Sequence, residues 1–229
     1  MNFLAHYHFF KTTDNEHNLG LIFPDLLHHF CQQHYPHHVE DNSNIFYGFH
    51  QGCKTHLLTD KYFHNSLHFK SLLTRFKTQL NHKVDWPRKW FFNHVLAEML
   101  IDRIILLKAP NEAEEMYAAL RRIEPIRLSE FLISIKANPD IFLPAFERFI
   151  AAAFIKQYAS PFGISISLQN LYKRAGIPYE FTDKDKHIIH EELNSLQAIV
   201  EENLSPIVKE LAQISDIRIW IQWKVFGYL

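Results

Sequence analysis

The stretch IFYGFHQGCKTHLLTDKYFHN, residues 45–65, decides the fold. Phe49, Cys53, His56, Leu57, Asp60 and His64 recur at steps of three and four, the period of an α-helix with about 3.6 residues per turn. Within it, His56-x3-Asp60-x3-His64 repeats at i, i+4 and i+8, which holds the three side chains within roughly 80° of one another. A helix from Ile45 to about Asn65 thus carries three metal-binding groups on one face.

A second row follows at the same spacing, His94-x3-Glu98-x3-Asp102, inside the apolar stretch HVLAEMLIDRIILL of residues 94–107. It occupies positions where a core helix, expected here from Trp86 to Lys108, normally places aliphatics. Fourteen of the sixteen histidines lie in the first 94 residues. Burying an unpartnered carboxylate costs several kcal/mol, and neutral imidazoles supply no permanent charge against it. A bound cation removes the conflict. The competing readings are a solvated face for the first row and a salt bridge to Arg103 for the second. Two rows in one chain, with His6 and Asp25 upstream, favour a metal centre built from His6, Asp25, His56, Asp60, His64, His94, Glu98 and Asp102. Imidazole mixed with carboxylate suits Mn2+, Zn2+ or Fe2+.

Helical reading extends along the rest of the chain. MNFLAHYHFF (1–10) forms an apolar first helix that starts inside the fold, and KTTDNEHN (11–18) reads as a polar break. Gly20 to Leu27 is a short helix beginning near Pro24, and Gln32 to Asn44 a loop. Ser66 to Leu80 continues the first long helix or forms a second. Asn111 is placed to cap EAEEMYAALRR, whose first turn is acidic. Further helices are expected over Arg127–Lys136, Pro139–Tyr158, Ser165–Ala175 and Asp183–Gln213. No stretch alternates long enough for a sheet, so the class is all-α: one domain over 1–229, with 1–110 the metal-site core and 111–229 a helical wrap or lid.

Composition narrows the function classes. With 47% hydrophobic residues and only six glycines the chain can bury a substantial core. Cys31 and Cys53 are too few for a disulfide framework, no cleavable signal opens the sequence, and charges interrupt every apolar run that approaches a bilayer span, including the tail around Trp220–Leu229. A cytoplasmic protein is expected. Net charge is −1, yet Lys61, Lys70, Arg75, Lys77, Lys83, Arg88 and Lys89 face only Asp85 between residues 61 and 93. That patch suits an acidic partner; a solvated helix face is the plainer alternative. Phe69, Phe76, Trp86 and Trp90 sit among these cations, but aromatics at helical spacing more often serve a core, and the near-neutral total argues against nucleic acid.

The opening MNFLAHYH resembles that of the acyl carrier protein phosphodiesterases, helical relatives of the metal-dependent His-Asp phosphohydrolases. Gly20-x4-Asp25 is similar to their Gly-Asn-Leu-x-x-Asp element, Gly48 through Thr59-Asp60 to their Gly-x3-His-Arg-x-Ile-Asp-x-x-Thr-Asp element, and Glu98-x3-Asp102-Arg103 falls where they carry Asp-x3-Asp-His. The likeness spans about the first 110 residues. Gly52-Cys53 stands in place of His-Arg, His56 in place of the first Asp, and Arg103 in place of a histidine. The resemblance implies a metal-dependent phosphodiesterase releasing 4'-phosphopantetheine from holo-acyl carrier protein, with Asp60 and His56 at the catalytic ion and the acidic carrier docked on Lys70, Arg75, Lys77, Lys83, Arg88 and Lys89. A second resemblance is to zinc-dependent phospholipase C enzymes and related nucleases, through the order His56-x3-Asp60, His64, His94-x3-Glu98. It implies a bridging Asp60, with His64, His94 and Glu98 holding another ion. A non-catalytic binding module is the remaining alternative, suggested by Gly52-Cys53.

Overall fold

Helix follows helix through the computed structural model, which describes residues 1–36 and 44–213; these contain no strand. The loop expected from Gln32 to Asn44 is described only at its ends, and the tail around Trp220–Leu229 lies outside the described residues. In chain order the α-helices are α1 (Phe3–Phe10), α2 (Asn15–Gly20), α3 (Phe23–Cys31), α4 (Tyr47–Asn65), α5 (Leu67–Leu80), α6 (Lys89–Lys108), α7 (Glu112–Arg121), α8 (Pro125–Ser134), α9 (Pro139–Ala152), α10 (Pro161–Arg174) and α11 (Asp183–Ala212). Among the described residues no helix is long and apolar enough to cross a membrane.

Local chemistry sets the boundaries. The expected break at 11–18 contains α2, because the Asp14 side chain accepts the Glu16 amide and starts a helical turn within the polar segment. Asn44–Phe46 form a 3-10 turn ahead of α4. Ser66 separates α4 from α5 by accepting the amides of His68 and Phe69. The helix read from Trp86 begins three residues later, after Pro87 and a left-handed Arg88. Asn111 stands at the start of α7 without a side-chain cap bond, so the acidic first turn carries that terminus. The helix read over 139–158 ends at Ala152, where left-handed Ala153 turns the chain into a 3-10 segment, Phe154–Ala159. Helix α10 starts earlier than its periodicity suggested, because Ser160 caps it and Pro161 occupies its first turn.

The core is aromatic. Phe49 of α4 stacks on Phe131 of α8 with ring centroids 4.4 Å apart, and Phe23 of α3 meets both Phe131 and Phe142. Helix α1 lies on α6 and α7, α2 on α4, and α11 along α5, α6 and α10. The α2–α4 crossing is unusually close: a Cβ on Gly20 would stand 2.8 Å from the Gly52 Cα, and one on Gly52 would stand 2.7 Å from the Gly20 Cα. Only glycine at both positions permits that approach. Gly52 is therefore a packing residue.

The cation-rich stretch is largely engaged within the molecule. Arg75 meets Glu202 at 2.5 Å, Lys83 pairs with Glu192, Lys89 lies 3.4 Å from Asp85, and Lys70 donates to the Asn65 carbonyl. Acidic groups on α11 answer two of the six cations expected to meet a carrier. Lys77 and Arg88 are exposed.

Candidate metal centre

The two histidine-acid rows do not form one site per helix. They divide across three helices. His6 of α1 joins His56 and Asp60 of α4, while His64 of α4 joins His94 and Glu98 of α6; within each trio the ligand atoms lie within 4.8 Å of one another. Ligands on a tetrahedral zinc-like ion, at about 2.0–2.2 Å each, stand about 3.3–3.6 Å apart. Closing either trio on a cation thus asks for side-chain movement on the order of 1 Å.

The first trio is buried and oriented. His56 Nδ1 lies 2.8 Å from the Leu21 carbonyl oxygen. A carbonyl only accepts, so Nδ1 carries a proton, and Nε2 is turned towards Asp25 and Asp60, each 3.5 Å away. The close Gly20–Gly52 crossing brings that carbonyl within reach. His6 is fully buried, its Nδ1 has no hydrogen-bond partner among the described residues, and its Nε2 stands 2.9 Å from Asp60 Oδ1. The two imidazoles stack at 4.1 Å. Burial, then the nearby His56, lowers the His6 pKa to about 4 despite Asp60, so at neutral pH the ring is uncharged, the form able to bind a metal. Burial lowers that of His56 too, but Asp25 and Asp60 outweigh it and raise the value. For Asp60 burial opposes ionisation, and the Met1 amino group with His6 and His56 prevails, holding the carboxyl well below its usual range.

The second trio is half-buried. His64 Nε2 and His94 Nε2 lie 2.9 and 3.1 Å from Glu98 Oε1. Burial again opposes ionisation of Glu98, but the Met1 amino group and the two histidines hold its carboxyl below the ordinary range. The Met1 nitrogen touches both trios, at 2.6 Å from Asp60 Oδ1 and 3.5 Å from Glu98 Oε1. Burial would lower its pKa, but Glu98 and Asp60 raise it to about 10. The ammonium thus pairs with the acids of both trios, and a cation bound there would have to displace it.

Asp25 borders the first trio, two-fifths exposed. Asp102 does something else. Completely buried on α6, it accepts the backbone amides of Ala5 at 2.8 Å and Leu4 at 3.4 Å. It therefore closes the amino end of α1 and sets His6, the next residue, against α4; neither trio includes it. Burial pushes its pKa up to about 8 against the pull of those amides. The expected Arg103 salt bridge to this row is replaced by contacts with Gln197 and the Tyr158 and Ala159 carbonyls. The Leu21 carbonyl, the Met1 nitrogen and the positioning role of Asp102 were not foreseen from sequence. An amide-capping role for Asp102 leaves no local spacing signal, since its partners are 97 and 98 residues away.

No protein-family model, curated protein or solved structure matches the chain.

Proposed function

We propose that this protein is a divalent-metal-dependent phosphoric diester hydrolase, with acyl carrier protein bearing its phosphopantetheine group as the substrate suggested by the opening and the Gly20–Asp25 and Gly48–Asp60 elements. One observation carries the proposal: two imidazole-carboxylate trios from α1, α4 and α6 lie side by side, bridged by the Met1 ammonium that bound cations would displace. His6 is an uncharged ring and Asp60 a carboxylate, and His56 is fixed by Leu21 with Nε2 turned towards Asp25 and Asp60, where a bound cation would take the place of its proton. The donor set fits Mn2+, Zn2+ or Fe2+. His6, His56 and Asp60, bordered by Asp25, would hold one ion, and His64, His94 and Glu98 a second.

A bound divalent ion lowers the pKa of water and offsets charge on a phosphoryl oxygen. The chain's own groups supply the setting. Asp60 remains a carboxylate throughout the neutral range, and His56 contributes its Nε2 without losing the Nδ1 hydrogen bond. Asp102 holds His6 through the α1 amides. The second trio follows the ligand order that resembles the zinc-dependent phospholipases C, which favours a two-ion site over a single one.

The test is turnover of bis-p-nitrophenyl phosphate by manganese- or zinc-loaded protein, followed by incubation with holo-carrier protein. Wild type is expected to release p-nitrophenol and pantetheine phosphate, and Asp60→Ala to lower turnover by at least about 100-fold. A folded, metal-loaded protein inert towards the generic diester would overturn the hydrolase assignment. Turnover of that diester without release from the carrier would remove the carrier alone.

A further inference from the structure

A cavity of about 480 Å3 opens beside the trios, and Asp25 and Glu98 form part of its wall. Its other walls are of two kinds. Phe30, Phe149, Phe154 and Leu171 give it an apolar side, contributed by α3, α9, the 3-10 segment and α10. Arg148 of α9 and Arg174 of α10 give it positive charge, and among the described residues Asp25 and Glu98 are the only acids lining it. Arg148 makes no ion pair among the described residues. Arg174 has no carboxylate partner among them; its Nη1 donates to His29 Nε2 across 3.2 Å. Burial and then the guanidinium itself lower the His29 pKa, which keeps that nitrogen an acceptor.

His29 follows Asp25 by four residues on α3, so the two side chains project from adjacent turns into the same cavity, about 6 Å apart along the helix axis. The Arg174 guanidinium, hydrogen-bonded to His29, therefore lines the same cavity as the carboxylate bordering the first trio. Glu98 of the second trio and Asp25 beside the first share this cavity with both guanidinium groups and the apolar side chains. Guanidinium groups recognise phosphate through paired donors, and a mostly apolar cavity with a few convergent polar groups is the usual form of a small-molecule site.

We propose that this cavity is the subsite for the body of the substrate, selecting phosphate esters that carry an apolar arm: Arg174 and Arg148 engage the phosphoryl oxygens, and Phe30, Phe149, Phe154 and Leu171 take the arm. This inference rests on the hydrolase reading for the placement of the phosphoryl group, and it names the substrate class by what the cavity would bind.

Binding of hexyl phosphate and of inorganic phosphate to the manganese-loaded full chain, measured by titration calorimetry, tests it. Hexyl phosphate is expected to bind on the order of 100-fold more tightly than inorganic phosphate, because only the former buries methylenes against the apolar wall. Ala145→Trp, which fills the cavity from α9, should erase that advantage. Arg174→Gln and Arg148→Gln, both at exposed positions that leave the core untouched, should each weaken hexyl phosphate about 10-fold. Equal affinity for the two ligands, or folded arginine variants that bind hexyl phosphate as wild type does, would overturn the subsite. A protein that hydrolyses bis-p-nitrophenyl phosphate but fails these comparisons keeps the hydrolase assignment and loses the subsite. Arginine-dependent hexyl phosphate binding without metal-dependent turnover of any diester keeps the subsite and loses the hydrolase.

Discussion

At the scale of single residues, the cost of burying charge explains where each acid of the centre sits. Asp60 and Glu98 remain ionised because each has imidazoles and the Met1 nitrogen against it. Asp102 has only two backbone amides, and burial outweighs them. In the unfolded chain Asp102 ionises near its ordinary 3.8, and in the fold near 8. Between those values the unfolded chain has released a proton that the folded protein retains. The contribution of this group is thus fully present below pH 3.8 and is lost as the pH rises through 8. Urea denaturation in chelator at pH 5 and pH 8 should show wild type less stable at the higher pH and Asp102→Asn with a markedly smaller difference; equal pH dependence in the two proteins would contradict the assignment. Asp102→Ala should cost about 1–3 kcal/mol at pH 5, because the buried Leu4 and Ala5 amides lose their acceptor.

At the scale of elements, the geometry of one helix crossing reaches the proposed metal centre. Gly20 and Gly52 let α2 lie against α4 closely enough for the Leu21 carbonyl to fix His56. Gly52→Ala places a methyl group against the α2 backbone, so the helices must separate and the His56 orientation is lost. Expected are about 1–3 kcal/mol of destabilisation and a manganese affinity at least about 10-fold weaker. Gly176→Ala is the control, since its left-handed backbone (φ +63°) has nothing within 4 Å of an added Cβ. It should cost about 1 kcal/mol through backbone strain alone and leave manganese affinity unchanged. Comparable affinity losses in both variants would show that general destabilisation, rather than the crossing, governs the site. The contrast also shows what sequence could reveal. The i, i+4 spacing of His56 and Asp60, and of His94 and Glu98, is local and was legible. So were α4, α6 and α11, through sustained helical periodicity. That His64 leaves its own row to join α6, that Asp102 turns to α1, and that Gly20 meets Gly52 are contacts between segments with no local signature. Helix α2 was missed because its cap, Asp14, lies in a polar run whose composition is also that of a loop.

At the scale of the whole molecule, the centre joins elements that the chain order separates. Its candidate ligands come from α1, α4 and α6; α6 also packs against α7, α10 and α11. Asp185 extends this continuity: it accepts the Trp86 indole N–H at 2.6 Å and the Tyr179 hydroxyl at 3.0 Å while completing the cap of α11. A cation gripped by the folded trios and not by the unfolded chain must therefore stabilise the molecule as one unit. At free metal 100 times the Kd the gain is about 2.7 kcal/mol. For a chain of this length that corresponds to a rise in Tm of about 5–10 °C. Scanning calorimetry should show a single transition that moves upwards by this amount with manganese or zinc. The shift should shrink markedly in His6→Ala, which removes a candidate ligand from the first trio. In Asp185→Ala the starting Tm should fall while the metal-induced shift persists, because this variant loosens α11 without touching a ligand. Two transitions, only one of them responsive to metal, would instead mean that the ligand-bearing helices unfold independently of α11, and the coupling through α6 would be wrong.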